Sequence, residues 1–117
     1  MVKVMPTERF QKDVKRLIAK KKFYNIDEDI QPIIDELKKG NFIGDEIPNL
    51  SLSNGNHTYK VRAANSDTNV GKSNGYRIIY YAISEENKVY LLTIYYKKEF
   101  PTITNKEIIA IINDYCD

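Results

Sequence analysis

Apolar residues recur every three or four positions in two early stretches of the chain and run almost unbroken through three later ones. In "TERFQKDVKRLIAKKK", which begins at Thr7, Phe10, Val14, Leu17 and Ile18 share one helical face while Lys12, Asp13, Lys15 and Arg16 turn outward. Thr7 suits the N-cap, and the closing lysines suit the negative pole of the helix dipole. "NIDEDIQPIIDELKKG", from Asn25, repeats the period with Ile30, Ile33, Ile34 and Leu37, and Gly40 is placed to end that helix. Pro32 restricts its start: Asp29 as cap leaves the proline in the first turn, whereas a start near Asp27 predicts a kink. The short link around Tyr24 predicts that the two helices run antiparallel.

From residue 41 to 58 the period is broken by Gly44, Pro48, Ser51, Ser53, Asn54, Gly55 and Asn56, which reads as a loop that ends with an exposed His57. Strands follow at about 58–64, 76–83 and 88–97, and "VKVM" ahead of Pro6 forms a short first strand. The last two sheet segments, "RIIYYAI" and "VYLLTIYY", are apolar on both alternating faces, as central strands are. Thr104 and Glu107 form a capping box ahead of Ile108, Ile109, Ile111, Ile112 and Tyr115, predicting a C-terminal helix over Asn105–Tyr115. The resulting fold is α+β: two N-terminal helices packed on one face of a small antiparallel sheet, in the order β-α-α-β-β-β, with a C-terminal helix. The sheet's other face is expected to be open for chemistry.

Length and composition fit a single domain over 1–117, since 42% of the residues are apolar and 29% charged. No apolar run approaches the roughly 18 residues that span a bilayer. "MVKVMPTERF" lacks the apolar core of a signal peptide, so the expected location is the cytoplasm, with no membrane partner. A lone Cys116 excludes an intrachain disulfide and a cysteine-based metal site. Net charge is only +2, but cations cluster in "KKK" at Lys20–Lys22 and over residues 59–77, where four cations meet one acid. Such patches permit nucleic-acid binding.

Strand alternation gives the second patch a shape. In "YKVR", from Tyr59, Lys60 and Arg62 lie on one face and Tyr59 and Val61 on the other. Arg77 enters the next strand, Lys72 lies in the connection before it, and Lys97 and Lys98 end the last strand. Cations bordering apolar central strands call for an anion, and phosphate is the natural one. Seven of the nine tyrosines fall between Tyr59 and Tyr96, and tyrosine beside arginine is a common way to clamp unpaired RNA bases. No phosphate-binding glycine loop is present, because "VGKS" at Val70–Ser73 lacks the first glycine and the strand-loop-helix setting. A Cys-His pair would need His57 to meet Cys116, and "DED" at Asp27–Asp29 reads as helix-start charge.

Taken in order, "F-x-K-D-V-K-R-L", "Y-K-V-R", "G-K-S-x-G-Y-R-I-I-Y-Y" and "V-Y-L-L-T-I-Y-Y-K-K-E" closely resemble the RelE/ParE superfamily of toxins from type II toxin-antitoxin systems, in particular its RelE- and HigB-like branch. The resemblance spans Val4 to about Tyr115 and is most specific from Tyr59 to Glu99. It implies a ribosome-dependent mRNA endonuclease that inhibits translation, works without a cofactor or metal, and is silenced by a cognate antitoxin, itself a small DNA-binding protein. The implied chemistry is attack of a 2′-OH on the adjacent phosphate. Lys60, Arg62, Arg77 and Lys97 match the catalytic basic set, Tyr95 matches an aromatic that stacks on a nucleotide, and Lys72 and Lys98 extend the RNA contact. Lys60 or Lys97 is the expected base, because neighbouring cations lower a lysine pKa; Glu99 is the alternative. Arg62 and Arg77 are expected to stabilise the phosphate. ParE-like relatives, which act on DNA gyrase, and a non-catalytic RNA-binding module are the competing readings.

Overall fold

A computed structural model of the protein describes residues 1–50, 52, 55–100 and 102–116. Ser51, Ser53 and Asn54 of the expected loop lie outside the described residues. The elements are β1 (Lys3–Pro6), α1 (Glu8–Lys21), α2 (Ile26–Lys38), β2 (Asp45–Glu46), β3 (Asn56–Ala63), β4 (Tyr76–Ile83), β5 (Lys88–Tyr96) and α3 (Asn105–Tyr115). They form one five-stranded sheet in the order β1-β5-β4-β3-β2.

The sheet is mixed rather than antiparallel: β1 pairs parallel with β5, Val4 opposite Val89, while β2, β3, β4 and β5 are antiparallel. β1 is too short to cover β5, and side chains take over where it ends. Thr7 donates to the Leu91 carbonyl through its N–H (3.0 Å) and its hydroxyl (2.9 Å), and also caps α1 by accepting from Phe10 N–H at 3.1 Å. Farther along the same edge, Asp13 accepts from the Thr93 hydroxyl and from Ile94 N–H. Asp13 was expected to face outward with its helix neighbours, but its side chain is only 12% exposed. An unpaired strand edge needs acceptors and donors; where β1 has run out Thr7 donates and the inward Asp13 carboxylate accepts.

α2 begins at Ile26 with Asn25 at its N-cap and no side-chain cap bond, so neither Asp29 nor Asp27 opens it. Pro32 therefore lies in the helix interior, where it offers no N–H to the Glu28 carbonyl. The other end is as expected: Gly40, at φ +87°, follows the C-cap, with Gly40 N–H on Leu37 O and Asn41 N–H on Glu36 O, both at 3.0 Å. That pair is a Schellman closure.

Two apolar layers flank the sheet. Phe10 and Leu17 of α1 and Ile26, Ile30, Ile33 and Leu37 of α2 pack on Val61, Ile78, Tyr80, Leu91 and Ile94. On the opposite face Ile108, Ile111 and Ile112 of α3 pack with Leu50 on Ile79, Tyr81, Ile83, Leu92 and Tyr95. The expectation of one open face is thus corrected. Every residue of β4 is buried, as are Leu91 to Tyr96 of β5, and strands apolar on both sides need cover on both sides. The capping box predicted for α3 is present, with Thr104 and Glu107 satisfying each other's backbone N–H groups. No helix among the described residues is long and apolar enough to cross a membrane.

Candidate nucleic-acid interface

The alternation read in "YKVR" is realised in β3. Val61 and Ala63 are buried under α1 and α2, and Tyr59 packs against the same layer, which leaves Lys60 and Arg62 on the α3 side. Register then fixes who stands beside them. Arg62 pairs with Arg77 across β3 and β4, and Arg77 pairs with Tyr95 across β4 and β5, giving one transverse row. Lys60 sits one row along, opposite Ile79 and Thr93.

The two arginines of the row have different surroundings. Arg77 is 5% exposed and spends its fork on carbonyls: Nη1 donates to Lys72 O (3.0 Å) and Tyr76 O (3.2 Å), and Nη2 to Ser73 O (2.8 Å). Burial, and next the Arg62 charge, lower its pKa, with Tyr95 opposing them. Lys97 reaches the same turn from the other side, Nζ donating to Ser73 O at 3.2 Å and the backbone N–H to Gly75 O at 3.0 Å. Gly75 admits no larger residue, since a Cβ there would collide with the Ala63 carbonyl oxygen. Arg77 and Lys97 therefore converge on one carbonyl and fix the 3-10 turn Lys72–Asn74, which presents an exposed Lys72. Arg62 is exposed and makes no hydrogen bond or ion pair among the described residues, so its guanidinium is available to a ligand.

Lys60, Arg62 and Lys72 also border a groove of about 760 Å³ between β3 and α2, whose α2 wall carries Glu28, Asp29 and Glu36, while Asp45 of β2 pairs directly with Lys60 on the near side. The groove is thus basic only towards Arg62 and Lys72. An anion would be held at the cationic rim rather than within it.

Tyr95 and Glu99 are placed differently from the expectation. Tyr95 is 3% exposed, edge-on to Phe100 at 5.8 Å and in the same cluster as α3, so its ring has no open face for a base. Its hydroxyl has no hydrogen-bond partner among the described residues, and burial pushes its pKa up, with Arg77 opposing. Glu99 pairs with Arg16 (3.1 Å) and Lys21 (3.3 Å) of α1. Burial by itself would raise its pKa, but the hydrogen bonds and charges of Arg16 and Lys21 outweigh it and hold the carboxyl below its ordinary value. A carboxylate so engaged serves as a clamp between α1 and the segment after β5, and is a poor proton acceptor. Lys98, beside it, is exposed.

One feature of the interface escaped the linear reading. α1 follows β1, which is parallel to β5, so α1 runs along β5 and delivers Lys20–Lys22 to the end of the sheet that carries Lys97 and Lys98. The two basic segments of the sequence become one basic end of the molecule. His57 proves to be a β3 residue, its Nδ1 2.7 Å from Glu46 Oε2, and Cys116 is buried at the end of α3. Among the described residues no three carboxylate, histidine or cysteine side chains group as a metal site. A scan of the sequence against protein-family models and a search of curated proteins give no match.

Proposed function

We propose that the chain is the toxin of a type II toxin-antitoxin pair, a ribosome-dependent mRNA endonuclease of the RelE- and HigB-like kind, acting in the cytoplasm and held inactive by a cognate antitoxin. The observation that carries this reading is the convergence of Arg62, Lys72, Arg77 and Lys97 around one short turn, with Lys60 one row away. In the proposed reaction the 2′-OH gives up its proton to Lys60 or Lys97 as its oxygen attacks the adjacent phosphorus. The bond to the 5′-oxygen breaks, that oxygen takes a proton, and a 2′,3′-cyclic phosphate remains. Arg62 and Lys72 would meet the phosphate's growing negative charge, where fixed cations matter most. Arg77, enclosed by carbonyls, is better suited to positioning the turn than to touching phosphate. No step calls for a cofactor.

Primer extension on messages in translating cells tests the proposal. Wild type should produce cuts within coding regions, and Arg62→Ala and Lys97→Ala should each lower cutting about a hundredfold or more, the scale of losing one charged transition-state contact. Arg62 is exposed and Lys97 partly so, and far-ultraviolet circular dichroism with urea unfolding checks that both variants keep the fold. Intact messages with wild type, or unchanged cutting in both variants, would overturn the reading. DNA breaks with intact messages would instead favour action on gyrase.

A further inference from the structure

β3 has an open edge where its partner strand runs out. Ile47 N–H donates to Thr58 O at 2.9 Å, so the backbone N–H and C=O of Thr58 point toward β2, and by alternation those of Lys60 and Arg62 point the same way. β2 meets Tyr59 and Lys60 and reaches no farther, since the chain enters it through Gly44, at φ +102°, from the α2 side of the sheet. The backbone N–H and C=O of Arg62 are therefore left without a partner among the described residues. The groove of about 760 Å³ runs along this edge, with Arg62, Ala63 and Ala64 on one side and Pro32 and Ile33 of α2 on the other. An unpaired strand edge beside an apolar groove can take an extended chain as one more strand.

Charge decides what that chain is. Lys60 has Asp45 directly across from it on β2, whereas Arg62, one pairing position on, is exposed with nothing across from it on that side. A strand continuing the track of β2 sets one side chain opposite Arg62, on the same face of the sheet, and a carboxylate there completes the pattern that Asp45 begins. The residues before and after it turn to the other face, toward Pro32 and Ile33, where Glu28 and Glu36 of the same groove disfavour further acids. A second copy of this chain does not fit, because β3 paired with β3 sets Arg62 and Lys60 against their own kind. RNA brings negative charge but no backbone amide and carbonyl ladder for Arg62 to join.

We propose that the edge of β3 at Arg62 receives an extended segment of a partner protein as an added antiparallel strand, with a carboxylate opposite Arg62 and apolar side chains toward Pro32 and Ile33. The docking itself does not depend on the RNA-cleaving reading. One consequence does rest on it: a strand that covers Arg62 keeps phosphate off the cationic rim.

The test uses a short fluorescent peptide, blocked at both ends, in which glutamate and valine alternate. Titrated into the whole protein, it should bind saturably, shift the Arg62 amide in NMR spectra and slow that amide's hydrogen exchange. In the proposed register the glutamate N–H groups face β3 and the valine N–H groups face away. Methylating the glutamate nitrogens should therefore abolish binding, while methylating the valine nitrogens should leave it within about threefold, less than the loss of one hydrogen bond. A peptide with lysine in place of glutamate should not bind, and Arg62→Ala should weaken the original peptide about tenfold or more, the scale of one charge-assisted contact. No binding at about 1 mM peptide, equal loss from both methylated peptides, or equal binding of the lysine peptide would overturn the proposal. Arg62 amide shifts that follow protein concentration without peptide would overturn it in favour of a second copy. None of these readouts uses RNA cleavage, so the docking proposal and the endonuclease reading fail separately.

Discussion

Arg62 and Arg77 face each other directly across β3 and β4, and only Arg77 is buried. Like charges in opposed positions repel, so the pair persists because three carbonyl bonds hold Arg77 in place. Arg77→Lys keeps the charge but loses the planar fork, and should cost about 2 kcal/mol of stability. Arg62→Ala should leave stability within about 0.5 kcal/mol of wild type while removing cleavage. Urea unfolding beside primer extension separates the two; a strongly destabilised Arg62→Ala would contradict this division of labour.

Glu99 gives the fold a pH dependence of known sign. Its folded pKa lies below the ordinary value of 4.5, so its stabilising effect is present above that value and is lost as pH falls through the lower, folded one. Glu99→Gln should therefore lower the melting temperature at pH 7, by an amount equivalent to about 1 kcal/mol or less for a partly exposed pair. At acidic pH, below the folded value, the two melting temperatures should draw together. An equal gap at both pH values would remove Glu99 from the role of clamp between α1 and the segment after β5.

Asp13 completes the edge of β5 where β1 ends. Asp13→Ala leaves the Thr93 hydroxyl and the Ile94 amide without their acceptor, which should cost about 1–3 kcal/mol. Amide hydrogen exchange localises the effect: Ile94 should exchange much faster in the variant, and Ile78, in the sheet interior, should change only as far as global stability does.

α3 is the cover of the second sheet face, and its stability should control access to the row beneath it. Thr104→Ala removes half of the capping box, at a cost of about 1 kcal/mol. Ile108→Ala empties a fully buried position, at about 2–5 kcal/mol. Both variants should increase binding of the dye ANS in that order, because the face they uncover carries Ile79, Tyr81 and Leu92. Unchanged dye binding in Ile108→Ala would mean that the helix is not what shields that face.

Much of the fold was legible in one dimension. Thr7, Gly40 and the pair Thr104 and Glu107 mark helix ends through bonds that span three to five positions, and such bonds depend on little beyond the local chain. α2 is the exception, since its first turn is anchored from a distance by Ser66 on Asp29 and by Asp67 on Asn25, and tertiary bonds there override the local preference for starting later. Of the candidate site, the facing of Lys60 and Arg62 followed from strand alternation, whereas the burial of Arg77 and Tyr95 did not. Their sequence neighbourhood gives no hint that the turn at Lys72–Asn74 folds back as acceptor or that α3 lies across the row.

The sequence by itself determined α1, α2, α3, the strands β1, β3, β4 and β5, and the face of β3 that carries its cations, because these depend on periods of 3.6 and 2 residues and on bonds within a few positions. It did not determine β2 or the start of β3 at Asn56, which fall in the expected loop. Only the tertiary structure decided that β1 joins parallel to β5, and with it that α1 carries Lys20–Lys22 to the same end as Lys97 and Lys98. Strand order and direction arise from pairing across some 85 positions, chosen by which edge and which apolar face each element can satisfy at once.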